Sequence, residues 1–159
     1  MLEYCTDLPE ESVAAGDVLI EEGSQSGHMW VLRSGSVTIE RDGVPFARID
    51  APGSVFGEMS WVLDKPATAT VRAASDIDVF RIDDPESFFL ADRPAAALSV
   101  LRMTAARLDG LTQYLVDVKA QFADMEGHLG MVDKILDTLV HHQNTGARPG
   151  SVRDPEGHY

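Results

Sequence analysis

Along the first eighty residues, apolar side chains come in short clusters separated by glycine. Gly16, Gly23, Gly27, Gly35, Gly43, Gly53 and Gly57 punctuate this part, and the next glycine is Gly110. Between them, Asp17–Glu21, Met29–Arg33 and Ser36–Glu40 are of strand length and bounded by turn formers. Val37 and Ile39 alternate with Thr38 and Glu40, the period-two pattern of a half-buried strand. Asp42-Gly43 marks a tight hairpin turn. Phe46–Ile49, Thr68–Ala73 and Asp78–Ile82 predict further strands, and one short helical piece falls near Phe56–Leu63. Many short strands with frequent glycine turns predict an all-β barrel or sandwich rather than a βαβ fold.

After Ile82 the period becomes helical. Asp84 is the candidate N-cap of a short helix whose first residue is Pro85. Pro94 ends that helix and opens a longer one, because proline fits a first turn and not an interior. From there Leu98, Leu101, Ala105, Leu108, Thr112, Leu115, Lys119 and Phe122 alternate spacings of four and three, a heptad seam. Leu111, Val118 and Met125 widen the stripe on one flank. Gly127 and Gly130 interrupt it, and Met131–Val140 predicts a short amphipathic helix. The expected organisation is therefore a barrel over residues 1–83 and a hinge helix with a long dimerisation helix over 84–125. A short helix within 126–143 and a disordered tail over 144–159 follow. In the seam, Thr112 and Lys119 read as tolerated polar positions of a dimer interface.

Charge narrows the partners. Against 13 Lys and Arg stand 26 Asp and Glu, a net charge of −13. Such a chain repels a phosphate backbone, so nucleic-acid binding is not expected. The single cysteine, Cys5, allows no internal disulfide, fits a reducing compartment, and sits near a terminus expected to be mobile. The start of the chain has neither the basic nor the apolar region of a secretory signal, and no apolar run approaches membrane-spanning length. A cytoplasmic location is the expectation.

Enzymatic chemistry finds little support. The histidines are His28, His128, His141, His142 and His158, and no His-x-His on a strand suggests a metal site. They read as solvated side chains, which leaves a cupin-like metal enzyme without ligands. A Gly-x-Ser-x-Gly elbow, a Walker loop and a Gly-x-Gly-x-x-Gly fingerprint are all absent from the sequence. Trp30 and Trp61 read as packing residues, with stacking of Trp61 on a base as a lesser alternative.

The informative stretch is Pro52–Ala73, which reads as strand, turn, one helical turn, turn, strand. Gly57 starts the short helix and leaves the N–H groups of Glu58, Met59 and Ser60 without intrahelical partners, a setting that favours an anion. Glu58 has the chemistry to accept hydrogen bonds from a ribose, and the Thr68 hydroxyl to donate to a phosphate oxygen. Phe56-Gly57-Glu58-Met59-Ser60, followed by Pro66-Ala67-Thr68-Ala69-Thr70-Val71-Arg72-Ala73, resembles the phosphate-binding cassette of cyclic-nucleotide-binding domains of the catabolite activator and protein kinase A regulatory type. The likeness extends upstream through Gly16–Gly23 and Val31–Glu40 and downstream through the helices, over roughly residues 13–125.

The resemblance implies a jelly-roll (β-roll) barrel followed by a long dimerisation helix. It also implies a non-catalytic regulatory role in signal transduction, with cAMP or cGMP as ligand and no further cofactor. Ligand contacts then fall on Phe56, Gly57, Glu58, Met59, Ser60, Ala67 and Thr68. The family's phosphate-clamping arginine falls on Ala67, and a neutral methyl cannot replace a guanidinium. Arg72 lies about 13 Å along the strand from Thr68, too far to substitute readily. Weakened or lost nucleotide affinity is expected. Thr112 or Gln113 is the family-type candidate for reaching the base from the long helix. The family's transcription factors carry a winged helix-turn-helix, which the 34 residues after Met125 do not accommodate. Two readings stand: a small-ligand sensor, or a ligand-independent dimerising domain that binds a protein partner.

Overall fold

Among the described residues, eight strands make two four-stranded antiparallel sheets: β1 (Glu10–Val13), β2 (Val18–Ile20), β3 (Met29–Ser34), β4 (Val37–Arg41), β5 (Val44–Ile49), β6 (Val55–Phe56), β7 (Thr70–Ala73) and β8 (Ile77–Ile82). One sheet has the order β1-β8-β3-β6 and the other β2-β7-β4-β5. The structure, a computed structural model, describes residues 1–25, 27–121 and 134–139. Two compact units divide the chain, Met1–Val100 and the part from Leu101 onward. The fold is a jelly-roll-like antiparallel barrel with a long C-terminal helix.

The alternation within strands builds the barrel's core. Trp30, Leu32, Phe56, Ile77 and Val79 from one sheet meet Ile20, Val37, Val71 and Ala73 from the other in a single buried cluster. On β3 the opposite parity, Met29 and Val31, is buried as well, so this strand is covered on both faces. That explains why Met29–Leu32 is a continuous apolar run rather than an alternating one. Asp42 and Gly43 both take positive φ, 52° and 75°, as a two-residue hairpin turn matched to strand twist requires. The hairpin joins β4 to β5, the edge strand of its sheet; a register shift between Ile39 and Glu40 and the proline at position 45 interrupt that pairing.

Most expected strands form within two residues of their anticipated bounds. The strand expected from Thr68 begins at Thr70. Two strands are not legible beforehand. Glu10–Val13 has little intrinsic strand character, yet it pairs along β8, Glu10 with Phe80 through Val13 with Ile77. The two-residue β6 pairs with β3, Trp30 with Phe56 and Val31 with Val55.

The helical part follows its sequence signals with one difference. Asp84 caps as expected, its carboxylate accepting from the Ser87 N–H at 3.0 Å. The segment it opens, Ser87–Asp92, is π-helical rather than α-helical, with the Arg93 N–H reaching the Phe88 carbonyl at 2.9 Å. The wider turn accompanies the burial of two consecutive residues, Phe88 and Phe89. The α-helices α1 (Glu58–Leu63) and α2 (Pro94–Gln121) flank β7 and β8 in sequence, and Pro94 opens α2 as anticipated. Residues 134–139 are helical and agree with part of the expected Met131–Val140 helix. Phe122, Met125, Gly127, Gly130, His128, His141, His142, His158 and the 144–159 tail lie outside the described residues.

The chain's start corrects one expectation. Leu2–Tyr4 forms a 3-10 turn and Cys5 is fully buried, not in a loose terminus. An ion pair of Asp7 with Arg93 and the hydrogen bond from the Arg81 N–H to the Pro9 carbonyl (3.0 Å) fasten this segment. Loss of solvent raises the Cys5 thiol from about 9 to about 11.

Candidate functional site

The site begins where β6 runs into α1. Phe56 is buried in the core cluster, and Gly57 turns the chain with φ 92°, in the left-handed region. A Cβ at Gly57 would stand 2.8 Å from the His28 carbonyl oxygen and 3.5 Å from the Met29 Cα. Glycine is thus required twice over, for its φ and for the close approach to the start of β3. Glu58 follows, buried at 6% exposure, an unusual place for a carboxylate. Met59 on the next position is exposed.

Ser60 closes the turn after α1. Its hydroxyl donates to the Lys65 carbonyl, and its own carbonyl accepts from the N–H of Lys65 at 3.2 Å and from the cap residue Asp64. Asp64 takes φ 48°, so the helix stops in a left-handed residue. Trp61 lies 5.4 Å from Phe89, ring to ring, and so packs on the π-helical turn.

The downstream wall is held by the backbone of the β2 side. The Ala67 N–H donates to the Ser24 carbonyl and the Gly23 N–H to the Ala67 carbonyl, both at 2.8 Å. The Glu22 N–H donates to the Thr70 hydroxyl at 3.0 Å. Ala67 packs against the core cluster, as do Val71 and Ala73 within it. Thr68 is half-buried. This clasp by Glu22–Ser24 was not foreseen from the residues themselves; the conspicuous glycine at position 23 is the only signal that pointed to it.

Arg72 belongs to a different neighbourhood. Its Nε lies 3.2 Å from the Glu40 carboxylate on β4, and its Nη1 donates to the Gly16 carbonyl at 2.9 Å. It alternates with Val71 and Ala73, which enter the core, so its guanidinium faces away from the core cluster. Glu40 and Thr38, expected on the solvent side of β4, are half-buried; Thr38 stands opposite Arg72 in register and Glu40 binds its guanidinium.

His28 is not the solvated side chain expected of it. Its Nδ1 is 3.4 Å from the Asp83 carboxylate, and its Nε2 is 3.1 Å from Arg81 Nη2. Arg81 also meets Asp83 at 2.7 Å and Glu11 at 3.3 Å, and its guanidinium carbon lies 5.7 Å from the centre of the Trp30 ring. Among the described residues no group of three His, Cys, Asp or Glu side chains is arranged to hold a metal. None of the described helices is long and apolar enough to cross a membrane.

Thr112 and Gln113 lie on α2 beyond Val100, and their hydrogen bonds are local to the helix. Thr112 donates to the Leu108 carbonyl at 2.8 Å and Gln113 to Asp117 at 2.9 Å. The apolar seam residues around them are exposed in the single chain, Leu101 at 64%, with Leu98, Leu108 and Leu111 about half exposed.

Comparison with known proteins agrees with this geometry. The chain is 30% identical over 76 residues to the cAMP-dependent protein kinase regulatory subunit of Yarrowia lipolytica, a match covering 48% of this chain and 20% of that protein. It is 26% identical over 110 residues to a cyclic nucleotide-gated potassium channel of Mesorhizobium japonicum, covering 69% of this chain and 30% of the channel. The chain therefore spans less than a third of either relative. Among solved structures, the N-terminal domain of a transcriptional regulator from Streptomyces coelicolor A3(2) superimposes with a TM-score of 0.52 at 28% identity, over 71% of this chain and 82% of that one. A protein kinase A regulatory domain bound to Sp-2Cl-cAMPS shares the fold, with a TM-score of 0.55 at 22% identity over 68% and 71% of the two chains. The family model for the cyclic nucleotide-binding domain matches residues 10–91, the whole barrel with its cassette, and the chain belongs to that family.

Proposed function

We propose that this chain is a non-catalytic regulatory module that senses a cyclic nucleotide, cAMP or cGMP, or another small anion, with affinity weakened by the alanine at position 67. The ligand contacts are Phe56, Gly57, Glu58, Met59, Ser60, Ala67 and Thr68. One observation carries the reading: the Gly23–Ser24 clasp holds Ala67 against the barrel core beside the cassette, while Arg72 is engaged by Glu40. Ala67 supplies no cation at that position, and the guanidinium of Arg72 is already engaged.

Losing one partner of a buried charged pair costs about 2–5 kcal/mol, a factor of roughly 30 to several thousand in affinity. Calorimetry with cAMP and cGMP tests this directly. Weak or undetectable binding is expected for the natural protein, and Ala67→Arg is expected to tighten it at least about tenfold, with Glu58→Ala cancelling part of the gain. Submicromolar binding by the natural protein, or no gain from Ala67→Arg in a folded dimer, refutes the account.

The second reading, a ligand-independent interaction domain, draws on α2. Leu98, Leu101, Leu108 and Leu111 leave an apolar stripe uncovered in the single chain. A parallel pair of such helices buries it, so a homodimer through 84–125 belongs to both readings, with the barrel at 1–83, the short helix within 126–143 and the tail at 144–159 as separate parts. A protein partner, no contact with nucleic acid or membrane, and a cytoplasmic setting complete the proposal.

A further inference from the structure

His28 stands immediately before β3 and touches two systems at once. Its backbone supports the cassette: the carbonyl oxygen lies 2.8 Å from where a Cβ on Gly57 would sit, so Gly57 closes directly on it. Its ring lies among the charged side chains of β8. Nδ1 is 3.4 Å from the Asp83 carboxylate, and Nε2 is 3.1 Å from Arg81 Nη2. A guanidinium only donates hydrogen bonds, so Nε2 accepts this one and carries no proton. The proton of the neutral ring is then on Nδ1, facing Asp83. Arg81 is held in turn by Asp83 at 2.7 Å and by Glu11 of β1 at 3.3 Å, with its guanidinium carbon 5.7 Å from the centre of the Trp30 ring. On the cassette side the contact is with Gly57, which has no side chain, and the buried Glu58 follows it.

A proton added to Nε2 reverses the sense of the Arg81 contact. The acceptor becomes a donor, and two cations face each other at hydrogen-bond distance. Asp83 can hold the charged ring together with Arg81 Nε, and Glu11 can keep Nη1, but the Nη2 contact has to open. We propose that His28 is a proton-operated latch behind the cassette. Neutral, it is tied to Arg81 and presents its carbonyl to Gly57; charged, it swings from Arg81 toward Asp83, and the Gly57 turn moves with it. Histidine is the side chain whose charge ordinarily changes between about pH 5 and pH 8, and His28 is the only histidine among the described residues. Arg81 offers a second route to the same turn, since it lies over Trp30, which pairs with Phe56 beside Gly57. The Trp61 N–H, bonded to the Gly57 carbonyl at 3.2 Å, carries the displacement into α1. The latch is built from the barrel's own side chains and does not depend on the nucleotide reading.

The test is an NMR titration of the labelled full chain, without ligand, between about pH 8 and pH 5. The carbon-bound protons of the His28 ring report its charge, with His28→Gln identifying their signals, and the Gly57 amide reports the latch. The Gly57 amide is expected to shift along one titration curve with the same midpoint as the His28 ring, and the shift is expected to be lost in His28→Gln. In Arg81→Gln, where the ring no longer faces a cation, His28 is expected to take up its proton while Gly57 moves much less. Protection of the Trp61 N–H against hydrogen exchange, corrected for the intrinsic rate, is expected to fall at the acid end in the natural protein and to stay level in His28→Gln. A Gly57 resonance that stays fixed while the ring titrates overturns the latch. So does a shift that persists in His28→Gln, which assigns the titration to Asp83, Glu11 or Glu58 instead. A ring that takes up no proton in this range overturns it as well.

Discussion

Phe56 and Leu101 are both large apolar residues on regular elements, yet one is 4% exposed and the other 64%. In the barrel, the apolar positions of β3, β6, β7 and β8 are answered by the facing sheet of the same chain, and the exposed exceptions, Val18, Val44 and Phe46, lie on the outer strands β2 and β5. On α2, Ala96 and Val100 near its start are buried and Met103, Leu115 and Val118 are half-buried, whereas Leu98, Leu101, Leu108 and Leu111 are exposed. The same hydrophobic signal therefore has two physical meanings. Periodicity reports that a face will be covered, and only the topology reports whether the cover comes from within the chain.

The sharpest way to break this comparison is to charge the helix. Leu108→Asp combined with Leu115→Asp is expected to weaken dimerisation by at least about a hundredfold while leaving the barrel folded, since a carboxylate buried in an apolar seam is strongly disfavoured. Sedimentation at tens of micromolar and circular dichroism read the two halves of that statement. A natural protein that sediments as a monomer removes the contrast altogether.

Next in size is the converse experiment. Phe56→Ala is expected to destabilise the barrel by about 3–5 kcal/mol, as for other large core aromatics. Leu101→Ala, on the uncovered stripe, is expected to change the unfolding free energy of the dissociated monomer by less than about 0.5 kcal/mol. Similar costs for the two would mean that α2 is covered by its own chain.

Smaller effects sharpen the picture of the barrel's N-terminal side. With its pKa raised to about 11, the buried Cys5 thiol is expected to resist thiol reagents in the folded protein near pH 8 and to react promptly in denaturant. The sign for stability follows: the folded state holds the proton longer. The contribution is therefore whole below pH 9, the ordinary value, and is lost as pH climbs through 11.

Asp78 works in the opposite direction and with the smallest effect. Hydrogen bonds from Ser12 (2.7 Å) and Ser34 (2.8 Å) hold its carboxyl below the ordinary 3.8. Stability from this group is present above that pH and lost as pH falls through the lowered value. Combined Ser12→Ala and Ser34→Ala is therefore expected to make the acid unfolding transition less steep at its low end, an effect confined to pH below about 4.

Much of this was legible in the residues. The hairpin at Asp42-Gly43, the cap at Asp84, the start of α2 at Pro94 and the order of the cassette from Phe56 to Ala73 all depend on local chemistry, and local chemistry is written in short windows. What escaped depends on partners distant in sequence. Glu10–Val13 is a strand because β8 presents an edge to it, not because Glu10 and Glu11 favour one. Ala67 is positioned by the backbone of Gly23 and Ser24, and main-chain hydrogen bonds leave little trace in side-chain identity. The engagement of Arg72 by Glu40 needed the β4–β7 pairing, which spacing alone does not supply. Trp30 was read as packing, which it is; His28 was read as solvated, and its place between Asp83 and Arg81 is a fact of three dimensions.

The hairpin has a last consequence, in how crowded barrels behave. An edge strand is an open row of hydrogen-bonding groups that invites a neighbour's strand and, repeated, a fibre. Here β5 carries a proline that has no N–H to offer, beside a register shift against β4. The other outer strands, β1, β2 and β6, are four, three and two residues long. None is a good template for sheet extension across molecules. Under the proposed dimerisation through α2, strand-to-strand association between barrels is therefore not expected.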